Sequence, residues 1–244
     1  SSNWKEGYGY TVATEMYSAG IDRLTHQPLS FSVSETTEGV HIHIIDAELM
    51  GKGEKEKKDL YIEGIQNNGI INHYEYIINS EGTIEIRHVL KPEGKMPLWF
   101  PRIGLTLTVS DALDQVKWYG RGPQENYPDR KTGYPTGIYA STVQAMYEPY
   151  LMPQDYGLRT DVRWLQLTTD KGIGLQFKMN EWFNFNIYPY STDNLTKAMY
   201  TYQLQKQKGM TLNLDYATTG VGCTARGVFG AYKAMPQARK STRL

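Results

Sequence analysis

Apolar and polar side chains alternate with a period of two residues along much of this chain, which is the pattern of half-buried β-strands. Thr83–Val89 alternates in this way and follows the run Ile71–Ile78 across the turn residues Asn79–Gly82. Two β-rich runs around a short glycine-containing loop predict a hairpin. A second hairpin is predicted on both sides of Thr169–Gly172. More strands are predicted at His41–Ile44, Ile103–Val109, Phe183–Tyr188 and Thr211–Tyr216.

A short helix and a long aperiodic segment interrupt the strand pattern. Ser191 or Thr192 can cap a helix that runs to about Met199, because a hydroxyl oxygen there accepts an otherwise unpaired backbone N–H. Gly120–Asp161 is rich in glycine, proline, tyrosine and charge, shows little periodicity, and is far longer than a usual connection. Long loops on a rigid sheet often carry binding residues. The sequence therefore predicts an all-β protein with one functional loop region.

Composition and charge exclude several classes of partner. The 244 residues carry 26 basic and 26 acidic side chains, whereas binding to nucleic acid or to an anionic membrane needs a basic surplus. No apolar run approaches the ~18–20 residues that span a bilayer, and no signal peptide is visible. We therefore expect a soluble protein of the cytoplasm or the periplasm. The missing initiator methionine is compatible with a fragment of a longer polypeptide.

Few residues point to metal or nucleophile chemistry. The single Cys223 excludes an intramolecular disulfide and a cysteine-based zinc cluster. His41 and His43 lie two apart on a predicted strand, so both rings point to one face, either as metal ligands or as an exposed polar surface. No phosphate-binding loop, dinucleotide fingerprint, nucleophile elbow or HExxH motif is present. The 19 tyrosines suit strand packing or stacking on sugars.

The densest polar clusters lie in Trp118–Arg130 and Pro149–Trp164. In the second cluster Arg159, Asp161 and Arg163 alternate, so in a strand they would share one face and form a paired network. The residue chemistry leaves open whether such a network orders loops or binds a ligand.

Glu125 and Asp129 could be proposed as a glycosidase pair, since that reaction uses two carboxylates about 5–10 Å apart. Arg121 and Arg130 stand next to them in sequence and favour the ionised form of both. A catalytic acid needs a raised pKa, so the residues argue against this role.

The run Gly122–Arg130, GPQENYPDR, resembles the signature of the C-terminal small-chain domain of the large β-galactosidases of glycoside hydrolase family 2. Other landmarks of that family stand before and after this run in the family's order, and the resemblance spans essentially the whole chain, weakest before about Pro101. These landmarks are Pro101–Leu105, Tyr147–Tyr150, Pro153–Gln154, Gly157–Trp164, Pro189–Ser191, Leu212–Asp215 and Gly220–Gly222.

The resemblance implies a large antiparallel β-supersandwich, similar to galactose mutarotases, formed by residues 1–244 as a single domain. It implies a parent enzyme that is a retaining hydrolase of terminal β-galactosides, with both catalytic glutamates on an upstream TIM barrel of about 250 residues. The magnesium and sodium ligands lie in that barrel region, so no catalytic residue and no cofactor is expected here. The implied partners are the barrel, the galactoside substrate and, since such enzymes often form oligomers, further copies of the chain.

The resemblance also implies that this domain covers the mouth of the barrel and lends a tryptophan to the galactose pocket. That position falls near Gly227 in this chain, where Phe229 or Tyr232 is the candidate substitute. The candidate substrate-binding residues are Glu125, Asn126, Tyr127, Asp129, Arg130, Arg159, Asp161, Arg163, Trp164 and Phe229.

Two other functions remain open from the sequence. A stand-alone carbohydrate-binding module would stack sugars on Tyr127, Tyr150, Tyr156 and Trp164. An aldose mutarotase would need a histidine acid that faces a carboxylate base. The chain offers only five histidines, all in its first third: His26, His41, His43, His73 and His88.

Overall fold

The computed structural model describes residues 20–50, 69–94, 96, 100–220 and 241–243. These residues fall into two compact units. The first unit comprises the described residues up to 100 together with 241–243, and the second comprises 101–220. Each unit is built on one antiparallel sheet, so the predicted all-β fold is confirmed. The single domain over 1–244 and the supersandwich similar to galactose mutarotases stay predictions.

The sheet of the first unit has the strand order β1-β2-β3-β4-β11. Its strands are β1 (Thr25–Thr36), β2 (Gly39–Leu49), β3 (Gly69–Ile78), β4 (Ile84–Glu93) and β11 (Ser241–Arg243). The predicted hairpin joins β3 to β4. Asn79 Oδ1 closes its turn by accepting from the backbone N–H groups of Glu81 (3.0 Å) and Thr83 (2.9 Å). Gly82 takes the left-handed φ of 83° that the turn requires.

The sheet of the second unit has the strand order β5-β10-β9-β8-β6-β7. Its strands are β5 (Arg102–Val109), β6 (Gln115–Arg121), β7 (Thr136–Thr142), β8 (Arg159–Thr168), β9 (Gly174–Tyr188) and β10 (Met210–Thr218). The second predicted hairpin joins β8 to β9. Alternating apolar side chains of the central strands are fully buried and form the core of this unit: Trp118, Leu165, Leu167, Phe183, Phe185, Leu212 and Leu214.

The predicted helix is present as the short helix α1 (Thr192–Lys197). Ser191 caps it, because its Oγ accepts from the backbone N–H of Asn194 at 3.1 Å. Leu195 is buried and packs the helix against Tyr156 and Tyr188, two core aromatic residues of the second unit. Single 3-10 turns lie at Ile21–Arg23 and Thr201–Gln203. Within the described ranges, no helix has the length and apolarity needed to cross a membrane.

Strand β7 lies inside the segment for which the sequence analysis expects no regular structure. It is one of the two edge strands of its sheet and pairs with β6 alone. Most of its side chains are exposed or half-buried, and Ile138 is 62% exposed. An edge strand with so little buried surface needs no apolar alternation, which is why the sequence pattern misses it.

Candidate functional site

Glu125 is the centre of a hydrogen-bond network that holds the loops on both sides of β7 together. Its carboxylate accepts from Arg130 Nη2 at 2.7 Å and from Tyr127 Oη at 3.2 Å. It also accepts from Tyr150 Oη and from the backbone N–H of Gly157 at 2.9 Å. The residue is only 5% exposed. One buried carboxylate therefore ties together loop residues up to 32 positions away in sequence.

These contacts keep Glu125 ionised. Burial acts to raise its pKa, but the hydrogen bonds from Tyr150, Gly157 and Arg130 outweigh burial and hold the pKa below its ordinary value. The result agrees with the expectation that Arg130 favours the carboxylate. A general acid needs the opposite shift, so this environment suits a structural anchor.

Asn126, next to this carboxylate, is completely buried and fastens the same loop to β8. Its Oδ1 accepts from the backbone N–H of Thr160 at 3.0 Å and from Thr160 Oγ1 at 2.6 Å. Its Nδ2 donates to the carbonyl of Gln124 at 3.0 Å, and its own N–H donates to the carbonyl of Leu158 at 2.8 Å. The side-chain amide is thus fully engaged within the fold.

Arg159 is the third buried residue that links these loops by hydrogen bonds, and it is only 3% exposed. It donates from Nη1 to the carbonyl of Gly157 at 2.8 Å and from Nη2 to the carbonyl of Pro123 at 3.0 Å. Its guanidinium lies 5.5 Å from the ring of Trp118. Burial lowers the pKa of Arg159 to about 10, which still leaves it charged at neutral pH.

Asp161 does not join Arg159 and Arg163 in the side-chain network that the alternation predicts. Strand β8 has register irregularities between Arg159 and Val162 and again before Trp164, and Asp161 itself has a φ of 54°. A bulge of this kind turns a side chain away from the face that strict alternation assigns to it. The prediction of one shared face is therefore wrong.

The carboxylate of Asp161 instead pairs with two cations from the loop region. Arg121 Nε donates to Oδ2 at 2.5 Å, and Lys131 Nζ lies 2.9 Å from Oδ1 and 3.0 Å from Oδ2. Burial acts to raise the pKa of Asp161, but the hydrogen bonds and charges of both partners outweigh it and lower the pKa. Arg121 therefore pairs with Asp161 in the fold, although it is a near neighbour of Glu125 in the sequence.

Arg163 and Trp164 belong to a stack of rings and a guanidinium on the sheet. Arg163 lies 4.3 Å from the ring of Trp182 and 5.0 Å from that of Tyr119, and its Nη1 donates to the carbonyl of Asp161 at 2.5 Å. Trp164 lies 6.4 Å from Tyr119. Cation–π contacts of this kind fix the orientation of partly exposed rings.

Asp129 lies against the backbone at the end of the second unit. A Cβ placed on Gly220 would fall 2.2 Å from its Cγ and 2.5 Å from each carboxylate oxygen. Only a glycine at position 220 permits this approach. Phe229, Gly227 and Tyr232, which the sequence analysis connects with the missing tryptophan, lie outside the described residues.

A cleft of about 590 Å³ opens beside this network. It is lined by Pro128, Lys131, Thr160, Asp161, Asn180, Glu181, Trp182, Asn184, Tyr216, Ala217 and Thr218. Trp182 is 58% exposed, so its ring is available to a ligand. An aromatic face surrounded by charged and amide groups is suited to a polyhydroxylated molecule, which needs stacking and hydrogen bonds together.

The predicted site residues thus divide between different places. Glu125, Asn126, Tyr127, Arg130 and Arg159 belong to the loop network. Among the predicted residues that the structure describes, Asp161 alone lines the cleft. Trp182, Lys131 and Tyr216 are cleft residues that sequence reasoning missed. A tryptophan placed among polar positions of β9 is the one local signal that could have indicated Trp182.

The tyrosine platform proposed for a carbohydrate-binding module is wrong in two of its four members. Tyr127 is 5% exposed and Tyr156 is 2% exposed. Tyr127 donates to Glu125, and Tyr156 packs into the core against Tyr188. Buried rings of this kind cannot stack on a sugar.

Comparison with known proteins places these features in a family. Residues 8–240 match the family described as "Beta galactosidase small chain". A beta-galactosidase of Priestia megaterium is 38% identical over 147 residues, which are 60% of this chain and 14% of that protein. One of Vibrio cholerae is 31% identical over 207 residues, which are 84% of this chain and 18% of that protein. The chain therefore spans less than a fifth of the length of these relatives.

Proposed function

Because the chain belongs to the beta-galactosidase small-chain family, we propose that it is the C-terminal part of a β-galactosidase that hydrolyses terminal β-D-galactosides. The glutamates that break the glycosidic bond lie outside this chain, on an upstream barrel. The chain packs on that barrel and shapes the rim of the active site. The galactoside and the barrel are its partners in this proposal.

The observation that carries the proposal is that side chains of the GPQENYPDR run make their hydrogen bonds within the fold. Glu125 accepts from four donors, Asn126 is fully buried, and Arg159 donates to two backbone carbonyls. The residues that distinguish the family thus hold loops in one geometry, which is the task of a supporting domain. The run contains two carboxylates, Glu125 and Asp129, and the contacts of Glu125 keep it ionised. A glycosidase acid must instead be protonated, which requires a raised pKa.

The cleft beside the network is the surface that we assign to the rim. Its Asp161 is fixed by Arg121 and Lys131, and its Trp182 is held by Arg163. These contacts orient an acceptor and an aromatic face before any ligand arrives. Preorganised groups of this kind recognise sugar hydroxyls and sugar faces with little entropy cost.

The test is a Trp182→Ala variant of the complete polypeptide, assayed with lactose. Loss of one stacking face should raise KM about 3- to 10-fold with a smaller change in kcat, since a stacking contact is worth about 0.5–1.5 kcal/mol. Phe31→Ala is the matched control, because Phe31 is a 68% exposed aromatic residue of the first unit. An unchanged KM for Trp182→Ala would contradict the rim assignment.

Sugar binding by this chain alone is a second candidate, favoured by the exposure of Trp182 in the cleft. Calorimetric titration of the chain with galactose and lactose separates the two. Binding in the millimolar range or tighter supports a binding module, and a flat titration removes it. The mutarotase alternative lacks support at this cleft, because none of the described residues that line it is a histidine.

A further inference from the structure

Three potential metal ligands meet on one face of the sheet of the first unit, far in sequence from the cleft. His41 and His43 lie on β2, and Glu75 lies on β3 directly opposite His43. One ligand atom from each of these residues lies within 4.8 Å of the other two. We propose that His41, His43 and Glu75 form a binding site for a divalent transition metal of the zinc type.

The ligand types and distances fit such an ion. Glu75 Oε1 lies 3.9 Å from His41 Nδ1 and 3.9 Å from His43 Nε2. A tetrahedral ion with bonds of about 2.1 Å separates its ligand atoms by about 3.4 Å, so small side-chain rotations close the site. Two imidazoles and one carboxylate with a remaining open position are a ligand set that zinc accepts.

The groups around the ligands orient them. Arg87 Nη1 donates to Glu75 Oε2 at 2.9 Å, which leaves Oε1 turned toward the two imidazoles. The Nε2 atom of His41 is buried and has no hydrogen-bond partner among the described residues. A carboxylate oxygen of Glu38 lies 3.9 Å from it. With the metal on Nδ1, a small movement of the exposed Glu38 side chain would let the N–H on Nε2 donate to its carboxylate, the outer contact that metal-bound histidines usually make.

The local charge also favours a cation. The carboxylates of Glu38 and Glu75 lie 3.9 Å from ring nitrogens of the imidazoles. The guanidinium of Arg87, which contacts Glu75, also pairs with the carboxylate of Glu85 at 2.8 Å. A bound ion would link β2 to β3 across the sheet and so stabilise the first unit. The site is independent of the proposed role in galactoside hydrolysis.

The test is calorimetric titration of the full untagged chain with zinc chloride after treatment with a chelator. We expect one equivalent to bind with sub-millimolar affinity. His43→Gln and Glu75→Gln should each weaken binding by more than about 10-fold, because even the loss of an outer partner of a metal ligand costs about 10- to 100-fold. His43 is half exposed, so its replacement leaves the sheet intact.

His26→Gln is the matched control. His26 is an exposed histidine on the same sheet, and its two ring nitrogens face Asp46 (3.8 Å) and Glu48 (3.7 Å) separately. This variant should bind zinc like the wild type. Zinc should also raise the Tm of the wild type and of His26→Gln but not that of His43→Gln. No uptake by the wild type, or equal affinity in His43→Gln and the wild type, would overturn the proposal.

Discussion

Single residues in the loop region act through partners that are distant in the chain. Glu125 has two partners nearby in the chain, Tyr127 and Arg130, and the sequence run itself suggests the second. Its other fastenings, Tyr150 and Gly157, lie 25 and 32 positions away. Sequence reasoning could therefore predict that this carboxylate is ionised, but it could not predict that the carboxylate is saturated and buried, because that depends on how the loops return.

The ionised state of Glu125 predicts a pH-dependent contribution to stability. Its folded pKa lies below the ordinary value of 4.5, so the contribution is fully present above that pH and is lost as the pH falls through the folded pKa. Glu125→Gln should cost about 2 kcal/mol of unfolding free energy at pH 7, the scale of hydrogen bonds to a charged group. Urea unfolding at several pH values measures this difference.

The difference in unfolding free energy between the wild type and Glu125→Gln should become smaller as the pH falls below about 4.5. Glu81→Gln, in the exposed turn between β3 and β4, is the control and should change stability little at any pH. If the difference in unfolding free energy stays constant down to pH 3, or grows at low pH, the proposed stabilisation by an ionised Glu125 is contradicted.

At the scale of strands, the alternation has the clearest physical cause in the central strands of the second unit, because their inner faces form the core. The exposed edge strand β7 carries no clear apolar alternation and is missed for that reason. The edge strand β1 does alternate from Leu29 to Ser34 although its side chains are exposed, and sequence reasoning does not identify it. Strand β8 defeats the alternation differently, since the bulge at Asp161 redirects polar side chains. Periodicity alone cannot report a bulge.

Close strand packing predicts a strong effect at Gly104 on β5. A Cβ there would fall 2.4 Å from the carbonyl oxygen of Leu214 and 2.6 Å from the Cα of Asp215 on β10. Because both are backbone atoms, they cannot move away cheaply. Gly104→Ala should therefore lower the unfolding free energy by about 2 kcal/mol or more, as measured in urea.

Gly133→Ala is the matched control for this prediction. Nothing lies within 4 Å of a Cβ at position 133. The control should change stability by less than about 0.5 kcal/mol. Equal effects of the two variants would show that close β5–β10 packing does not limit stability at Gly104.

At the scale of the whole molecule, the proposed role of the chain is to support a catalytic domain that lies outside it. The chain matches less than a fifth of the length of its beta-galactosidase relatives, and its family run is used to hold loops. The family run in the sequence predicts this relationship well. It could not predict the cleft, because Trp182, Lys131 and Tyr216 come from three separate segments that only the fold brings together.

The most direct test is the turnover of an aryl β-galactoside by this chain alone and by the complete polypeptide, at equal molar concentration. The account predicts hydrolysis by the complete polypeptide and none above the buffer rate by the chain alone. Circular dichroism must show the β-sheet signal in both samples. Sustained turnover by the folded chain alone would place bond-breaking groups within these residues and contradict the account.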